Sequence, residues 1–253
     1  MGGGTGSGVL PRMRVGVSVI TLFAVPRLVC FPGWPERLNR FCEKTGFTVQ
    51  LVPFWWWTAN EIARVDPRHV VSFEGPWNPG ETFQKLWHRI THGDPAAVLG
   101  GAFFGFEKRH TIQVERFKRL FPNAWAIDAG MHNKMLIEFA PNQPDWESYD
   151  SVVLDTWHVR EVIPGGIEGL QMIDRIINSQ KIRLLHFQTR NRRELADFLE
   201  GRSSYLHAVL TALKESGYHD DVIIELPPQW LLGKVESTLG SVRSEIQRSL
   251  GWA

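Results

Sequence analysis

The chain has 253 residues, 43% of them hydrophobic, which is enough to form the core of one large domain or of two small ones. Its 28 lysines and arginines nearly balance its 27 aspartates and glutamates, and the charges are interspersed, so nucleic acid is disfavoured as a partner. The only cysteines are Cys30 and Cys42, which excludes a disulfide framework or a cysteine-rich zinc site and agrees with a cytoplasmic location.

The N-terminal segment is rich in glycine, and we expect residues 1–12 to be disordered and residues 13–253 to form the folded domain. The stretch RMRVGVSVITLFAVP resembles a signal peptide, since basic residues precede an apolar run. However, no small-residue cleavage site follows, and the run is too short to cross a membrane. We therefore expect a buried first strand over residues 15–22. No later segment reaches transmembrane length.

Short β-branched runs alternate along the chain with stretches whose apolar residues recur at helical spacing. This alternation is typical of parallel β/α units. The predicted strands are VGVSVITL (15–22), FTVQLVP (47–53), HVVSF (69–73), AAVLG (96–100), KMLIEF (134–139), SVVLD (151–155), IRLLHF (182–187) and DVIIEL (221–226). The predicted helices surround residues 38–46, 83–90, 117–121, 167–177, 205–217 and 239–250.

Eight strands alternating with helices predict an α/β fold of the (β/α)8 TIM barrel type. An open doubly wound sheet could show a similar alternation, but its usual glycine-rich nucleotide-binding motifs are missing from the sequence. Residues 140–150, between the fifth and sixth strands, are too few for a full crossover helix, so we expect that helix to be irregular or missing.

Four of these strands end in a residue that can bind a metal. Glu138, Asp155, His186 and Glu225 each follow a short apolar run. In a barrel, the ends of the strands meet at one rim, where active sites lie. Three carboxylates that converge there would repel one another and lose hydration, unless a cation is bound between them. The sequence therefore predicts a divalent metal site.

The same segments resemble the xylose isomerase-like TIM barrels, a superfamily of sugar isomerases, ketose 3-epimerases, hydroxypyruvate isomerases, inosose dehydratases and endonuclease-IV-type repair enzymes. The resemblance is strongest over residues 134–228 and depends on MLIEFAP, VVLDTWHV, LLHFQTRNRR and SYLHAVLTALKESGYHDDVIIELPP. It implies one divalent metal, often manganese, with magnesium, cobalt or zinc as alternatives. It also implies that Glu138 and Glu225 bind the metal and move the proton, that Asp155 is a further ligand, and that His158 and Arg192 hold the substrate.

The ligand from the seventh strand stays open between His186 and Gln188, which lie two residues apart and so face the same side. The epimerases tend to use the second position of H-x-H there, whereas hydroxypyruvate isomerases use glutamine. We favour His186, because imidazole is the stronger ligand for transition metals. For the substrate arginine, Arg190 and Arg193 are alternatives to Arg192.

Two further features are assigned to substrate binding. Trp55, Trp56 and Trp57 follow the second strand and could form a platform for the apolar face of a sugar, although one or two of them could equally be buried. Glu74 follows the third strand in SFEGPWN. The repair endonucleases need histidines there and after the fourth strand, and their absence argues against a phosphodiesterase.

We therefore expect a metal-dependent isomerase or epimerase of a small polyol, keto-sugar or hydroxy-carbonyl compound, which acts by proton transfer through an enediolate. The nearest alternative is a hydro-lyase of the inosose dehydratase kind. A metal-dependent phosphodiesterase and a catalytically silent binding barrel are the remaining alternatives. We expect no membrane association, and self-association into a homo-oligomer is left open.

Overall fold

A parallel β-sheet organises the part of the chain that the computed structural model describes. The model describes residues 13–52, 57–74, 114–127, 135–136, 147, 149, 151–157, 159–160 and 167–252. The strands are β1 Val15–Ser18, β2 Thr48–Leu51, β3 Val70–Glu74, β4 Trp125–Ile127, β5 Met135–Leu136, β6 Val152–Asp155, β7 Ile182–Phe187 and β8 Asp221–Ile224.

The order of the strands is β4-β3-β2-β1-β8-β7-β6-β5. Strands that are consecutive in the chain are therefore neighbours in the sheet from β1 to β4 and from β5 to β8, and β1 joins the two sets by pairing with β8. Val15 pairs with Val222, and Val17 pairs with Ile224, so the first and last strands are neighbours, as in a barrel. The described residues show no pairing of β4 with β5. The structure therefore shows a curled, parallel α/β sheet and does not show a closed eight-fold barrel.

Seven α-helices accompany the described strands: α1 Trp34–Thr45, α2 Ala59–Ile62, α3 Val114–Leu120, α4 Ile167–Asn178, α5 Arg192–Leu199, α6 Ser204–Glu215 and α7 Val235–Leu250. Local sequence signals set several of their ends. Helix α1 ends before Gly46, whose left-handed φ of 69° favours glycine. The Gly46 amide donates a hydrogen bond to Cys42 O. Asn191 and Ser203 cap the first turns of α5 and α6 with their side chains. None of the helices that the structure describes is long and apolar enough to span a membrane.

Most of the predicted elements are confirmed where the structure describes them, whereas helices α2 and α5 were not predicted. β1 ends at Ser18, earlier than predicted, because the chain turns into a 3-10 helix at Thr21–Ala24. The fourth described strand, Trp125–Ile127, was not predicted; it pairs with β3. The predicted strand 96–100, the helix 83–90, residues 1–12 and most of the irregular link 140–150 lie outside the described residues.

The inner face of the sheet carries a small apolar cluster that is separate from the main core between sheet and helices. Its members come from five strands and are at most 4% exposed: Val71, Ile127, Val153, Leu184 and Ile223. β1 contributes Gly16 here, where an added Cβ would lie 2.7 Å from Ile223 Cδ1. The three apolar residues Val153, Leu184 and Ile223 are followed two positions later by Asp155, His186 and Glu225. A polar layer therefore lies directly above an apolar one.

Candidate metal centre

Asp155, His186 and Glu225 come together at the carboxyl ends of three neighbouring strands. Asp155 pairs with His186 across β6 and β7, and the Glu225 amide donates to Phe187 O at 3.0 Å just past β8. Because side chains alternate along a strand, these three point to the same side. One potential ligand atom from each lies within 4.8 Å of the other two. The structure thus brings together three of the residues assigned to the metal from the sequence.

The His186 imidazole faces both carboxylates through Nδ1. This nitrogen lies 3.5 Å from Glu225 Oε2 and 3.9 Å from Asp155 Oδ2. The side chains of Asp155 and His186 are fully buried, whereas 16% of the Glu225 side-chain surface is accessible to solvent. Glu225 is therefore the member of the cluster that solvent or a small molecule can reach.

Burial disfavours the ionised form of Glu225 in this cluster. Desolvation raises the pKa of the Glu225 carboxyl to about 7, and a hydrogen bond from Gln188 only partly opposes this effect. Two buried carboxylates beside an imidazole are costly to ionise together, and a divalent cation between them offsets that cost. Two oxygen donors and one imidazole nitrogen suit a transition metal such as manganese or zinc. The donor set of this cluster therefore fits a divalent cation.

His186 and Gln188 present different atoms to the cluster. The Gln188 side chain donates through Nε2 to Glu225 Oε2 at 3.1 Å, so the end of the amide that turns toward the cluster is the NH2 group, which cannot bind a metal. His186 Nδ1, in contrast, faces both carboxylates. This geometry favours His186 as the ligand and Gln188 as the group that orients Glu225.

The turn after β6 fixes the orientation of Asp155. Its Oδ1 accepts the Trp157 backbone N–H at 2.7 Å. The next residue, Thr156, donates its amide to His186 O at 3.0 Å and its hydroxyl to Gln188 O at 2.7 Å. Because these bonds tie β6 to β7 at the rim, Asp155 Oδ2 is held on the side of His186.

A polar network behind His186 was missed by sequence reasoning. Gln50, fully buried in β2, lies 2.8 Å from His186 Nε2 through its Oε1, and Ser72 donates to the same oxygen at 2.9 Å. Gln50 Nε2 donates to Glu74 Oε2 at 3.1 Å. Glu74, assigned to substrate from the sequence, thus contacts this network. The available signal was the presence of Gln50 and Ser72 inside the mainly apolar runs FTVQLV and HVVSF.

Trp57 is not part of a sugar platform. It is fully buried, stacks on Trp34 with ring centroids 3.9 Å apart, and donates its indole N–H to Val29 O at 2.7 Å. The ring is therefore enclosed in the protein core, with its indole N–H satisfied there, and the assignment of Trp57 to substrate is corrected. Trp55 and Trp56 lie outside the described residues.

The remaining residues assigned to the site are three arginines near α5, Glu138 and His158. Arg192 is the first residue of α5, and its side chain is exposed. The neighbouring Arg190 and Arg193 are exposed as well. Glu138 and His158 lie outside the described residues.

Arg160 is a cation of the site region that sequence reasoning did not select. It forms a bidentate pair with Glu194, with nitrogen to oxygen distances of 2.8 and 3.0 Å, and lies over the Tyr205 ring at 4.1 Å. Burial lowers the pKa of the Arg160 guanidinium, but Glu194 outweighs this effect, so the pKa is raised and the residue stays charged.

Comparison with known proteins adds little to this description. No protein-family model and no curated protein matches the chain. The chain is similar to the crystal structure of bee venom hyaluronidase, at 15% identity and a TM-score of 0.36, over 95% of this chain and 98% of that one. It is also similar to bee venom hyaluronidase in complex with a hyaluronic acid tetramer, with the same identity and coverage and a TM-score of 0.32. At these TM-scores the likeness carries no inference for this chain.

Proposed function

We propose that this protein is a divalent-metal-dependent isomerase or epimerase of a small keto-sugar, polyol or hydroxy-carbonyl compound. The observation that supports the proposal is the convergence of Asp155, His186 and Glu225 at the carboxyl ends of adjacent parallel strands. In this proposal the curled sheet closes into a (β/α)8 barrel, and manganese is the favoured metal, with zinc, cobalt or magnesium as alternatives.

Glu138 completes the proposed ligand set. In the described sheet, Leu136 pairs with Val153. In the sequence, Glu138 follows Leu136 by two residues, and Asp155 follows Val153 by two residues. This spacing supports Glu138 as a second glutamate beside the cluster. Two glutamates and an aspartate around one imidazole are the donors that the resemblance to sugar epimerases implies.

The proposed chemistry divides the work between the cation and the protein. When bound, the cation supplies positive charge beside the carbonyl and hydroxyl oxygens of the substrate. Glu225 and Glu138 then move the proton at the neighbouring carbon, one on each face, as base and acid. Glu225 is suited to this because it is the least buried member of the cluster. Asp155 and His186, fully buried, stay fixed while Glu225 meets the substrate.

The apolar layer beneath the cluster assists this chemistry. Val153, Leu184 and Ile223 close the inner face of the sheet below the three polar side chains. In this proposal the apolar layer keeps water from the reacting carbon on that side, and the low dielectric there strengthens electrostatic interactions at the site. We propose that substrate enters from the rim formed by the carboxyl ends of the strands.

Hydrogen exchange tests this proposal without knowledge of the natural substrate. The protein is incubated in D2O with manganese and a panel of ketoses, inososes and hydroxypyruvate-like compounds, and the products are analysed by NMR. We expect deuterium at the carbon beside the carbonyl of at least one compound, and no incorporation after chelation or in Glu225→Gln. Conversion without deuterium would reject proton transfer in favour of a hydride shift. Cleavage of an abasic-site oligonucleotide without exchange on any sugar would reject the isomerase.

A further inference from the structure

Gln50 is a fully buried polar side chain next to the candidate metal centre, and its surroundings fix its orientation. Its Nε2 donates to Glu74 Oε2 at 3.1 Å, and its Oε1 accepts from Ser72 Oγ at 2.9 Å. An ionised carboxylate accepts hydrogen bonds but cannot donate one. The NH2 end of the amide must therefore face Glu74, which leaves the carbonyl oxygen on the side of Ser72 and His186.

This orientation determines which nitrogen of His186 carries the proton. Gln50 Oε1 lies 2.8 Å from His186 Nε2, and an amide oxygen can only accept a hydrogen bond. His186 Nε2 must therefore be the protonated nitrogen. In a neutral imidazole the other nitrogen, Nδ1, then carries the lone pair. Nδ1 is also the nitrogen that faces Glu225 Oε2 at 3.5 Å and Asp155 Oδ2 at 3.9 Å.

We propose that Gln50 is a positioning residue that fixes the tautomer of His186, so that the lone pair of Nδ1 points at the cation site. The chain of contacts runs from Glu74 on β3 through Gln50 on β2 to His186 on β7. In the strand order, β2 and β3 lie on one side of β1, and β7 lies on the other. Outer partners of this kind commonly hold the ring of a metal-binding histidine and raise its basicity. The predicted effect on metal affinity rests on the proposed function, whereas the tautomer itself does not.

The tautomer is measured on metal-free protein labelled with 15N at histidine. A long-range 1H–15N NMR correlation at pH 8, above the usual pKa of imidazole, distinguishes the protonated nitrogen from the bare one. The His186 signal is assigned by its loss in His186→Gln and by contact of its N–H proton with the Gln50 side chain. We expect one tautomer, protonated at Nε2. A wild-type ring protonated at Nδ1 would overturn the inference, whatever any variant does.

Matched variants test the causal role of Gln50. Gln50→Leu removes the acceptor, and we expect mixed tautomers and a loss of manganese affinity of about 10- to 100-fold. Ser72→Ala is the control, because it removes a hydrogen bond to the same oxygen but leaves the acceptor in place, so the tautomer and the affinity should be retained. A Gln50→Leu protein that stays folded with one Nε2-protonated tautomer and wild-type affinity would also overturn the inference. If wild-type protein shows the expected tautomer but binds no manganese, the proposed function fails and the tautomer assignment stands.

Discussion

Replacing Glu225 with glutamine should stabilise the metal-free protein at alkaline pH while it weakens metal binding. Burial raises the pKa of this carboxyl from 4.5 to about 7. Each pKa unit corresponds to about 1.4 kcal/mol, so the ionised form costs the folded state about 3 kcal/mol. Glutamine has nearly the same shape, cannot ionise, and can still accept a hydrogen bond from Gln188.

The sign of the pH dependence follows from the raised pKa. Below about pH 4.5 the carboxyl is protonated in the folded and the unfolded protein, so Glu225 carries no ionisation cost. Between about pH 4.5 and about pH 7 the unfolded state ionises while the folded state stays protonated, so the folded state is progressively destabilised, and the loss levels off above about pH 7. The advantage of Glu225→Gln should therefore be small at pH 5 and reach its full size at pH 8.

Urea denaturation at pH 5 and pH 8, in the presence of a chelator, measures this difference. Glu215→Gln is the control, since Glu215 is exposed on α6 and its replacement should change stability little at either pH. Manganese at 100 times its Kd should stabilise the wild type by about 2.7 kcal/mol and the Glu225 variant by much less. A variant that is less stable than the wild type at pH 8 without metal would refute the reasoning that Glu225 is buried at an electrostatic cost.

Three further predictions concern the ligand from β7 and the packing around the site. His186→Ala should lower manganese affinity strongly in an isothermal titration, whereas Gln188→Ala should lower it less, and equal losses would contradict the assignment of His186 as the ligand. Trp57→Ala should cost about 3 to 5 kcal/mol of unfolding free energy in urea, since it leaves a cavity against Trp34, and an unchanged stability would contradict the core role of Trp57. Gly16→Ala should lower the free energy of unfolding in urea by about 1 to 3 kcal/mol, because its Cβ would lie 2.7 Å from Ile223 Cδ1. Gly240→Ala on α7 should raise that free energy by up to about 1 kcal/mol, because the added Cβ would have nothing within 4 Å. Equal effects at the two glycines would contradict the close packing at Gly16.

Sequence reasoning succeeded where strong local patterns coincide with the strands. β6, β7 and β8 each contain a short apolar run, over residues 152–154, 184–185 and 222–224, and each run leads into a charged or imidazole side chain at the rim. An apolar run of this kind fits a parallel strand that is buried on both faces, so both the element and the direction of its last residue could be predicted. The convergence of Asp155, His186 and Glu225 follows from those three strands being adjacent.

Other features depend on contacts that no local pattern encodes. β4 has only three residues, Trp125–Ile127, too few for a periodic signal. The contacts of Gln50 with Ser72 and Glu74 depend on the register of β2 and β3, which shifts between Val49 and Gln50. Trp57 is distinguished from its neighbours by stacking on Trp34, a residue 23 positions earlier in the chain.

We propose that Asp155, His186 and Glu225 bind one divalent cation, a claim that the metal content of the purified protein can decide. The protein is loaded with manganese, freed of excess metal by gel filtration, and analysed by mass spectrometry of its metal content together with circular dichroism. We expect about one ion per wild-type chain and a large loss in Asp155→Asn, which removes a ligand charge but no core packing. Absence of bound metal from the folded wild type, or an unchanged metal content in folded Asp155→Asn, would contradict the claim.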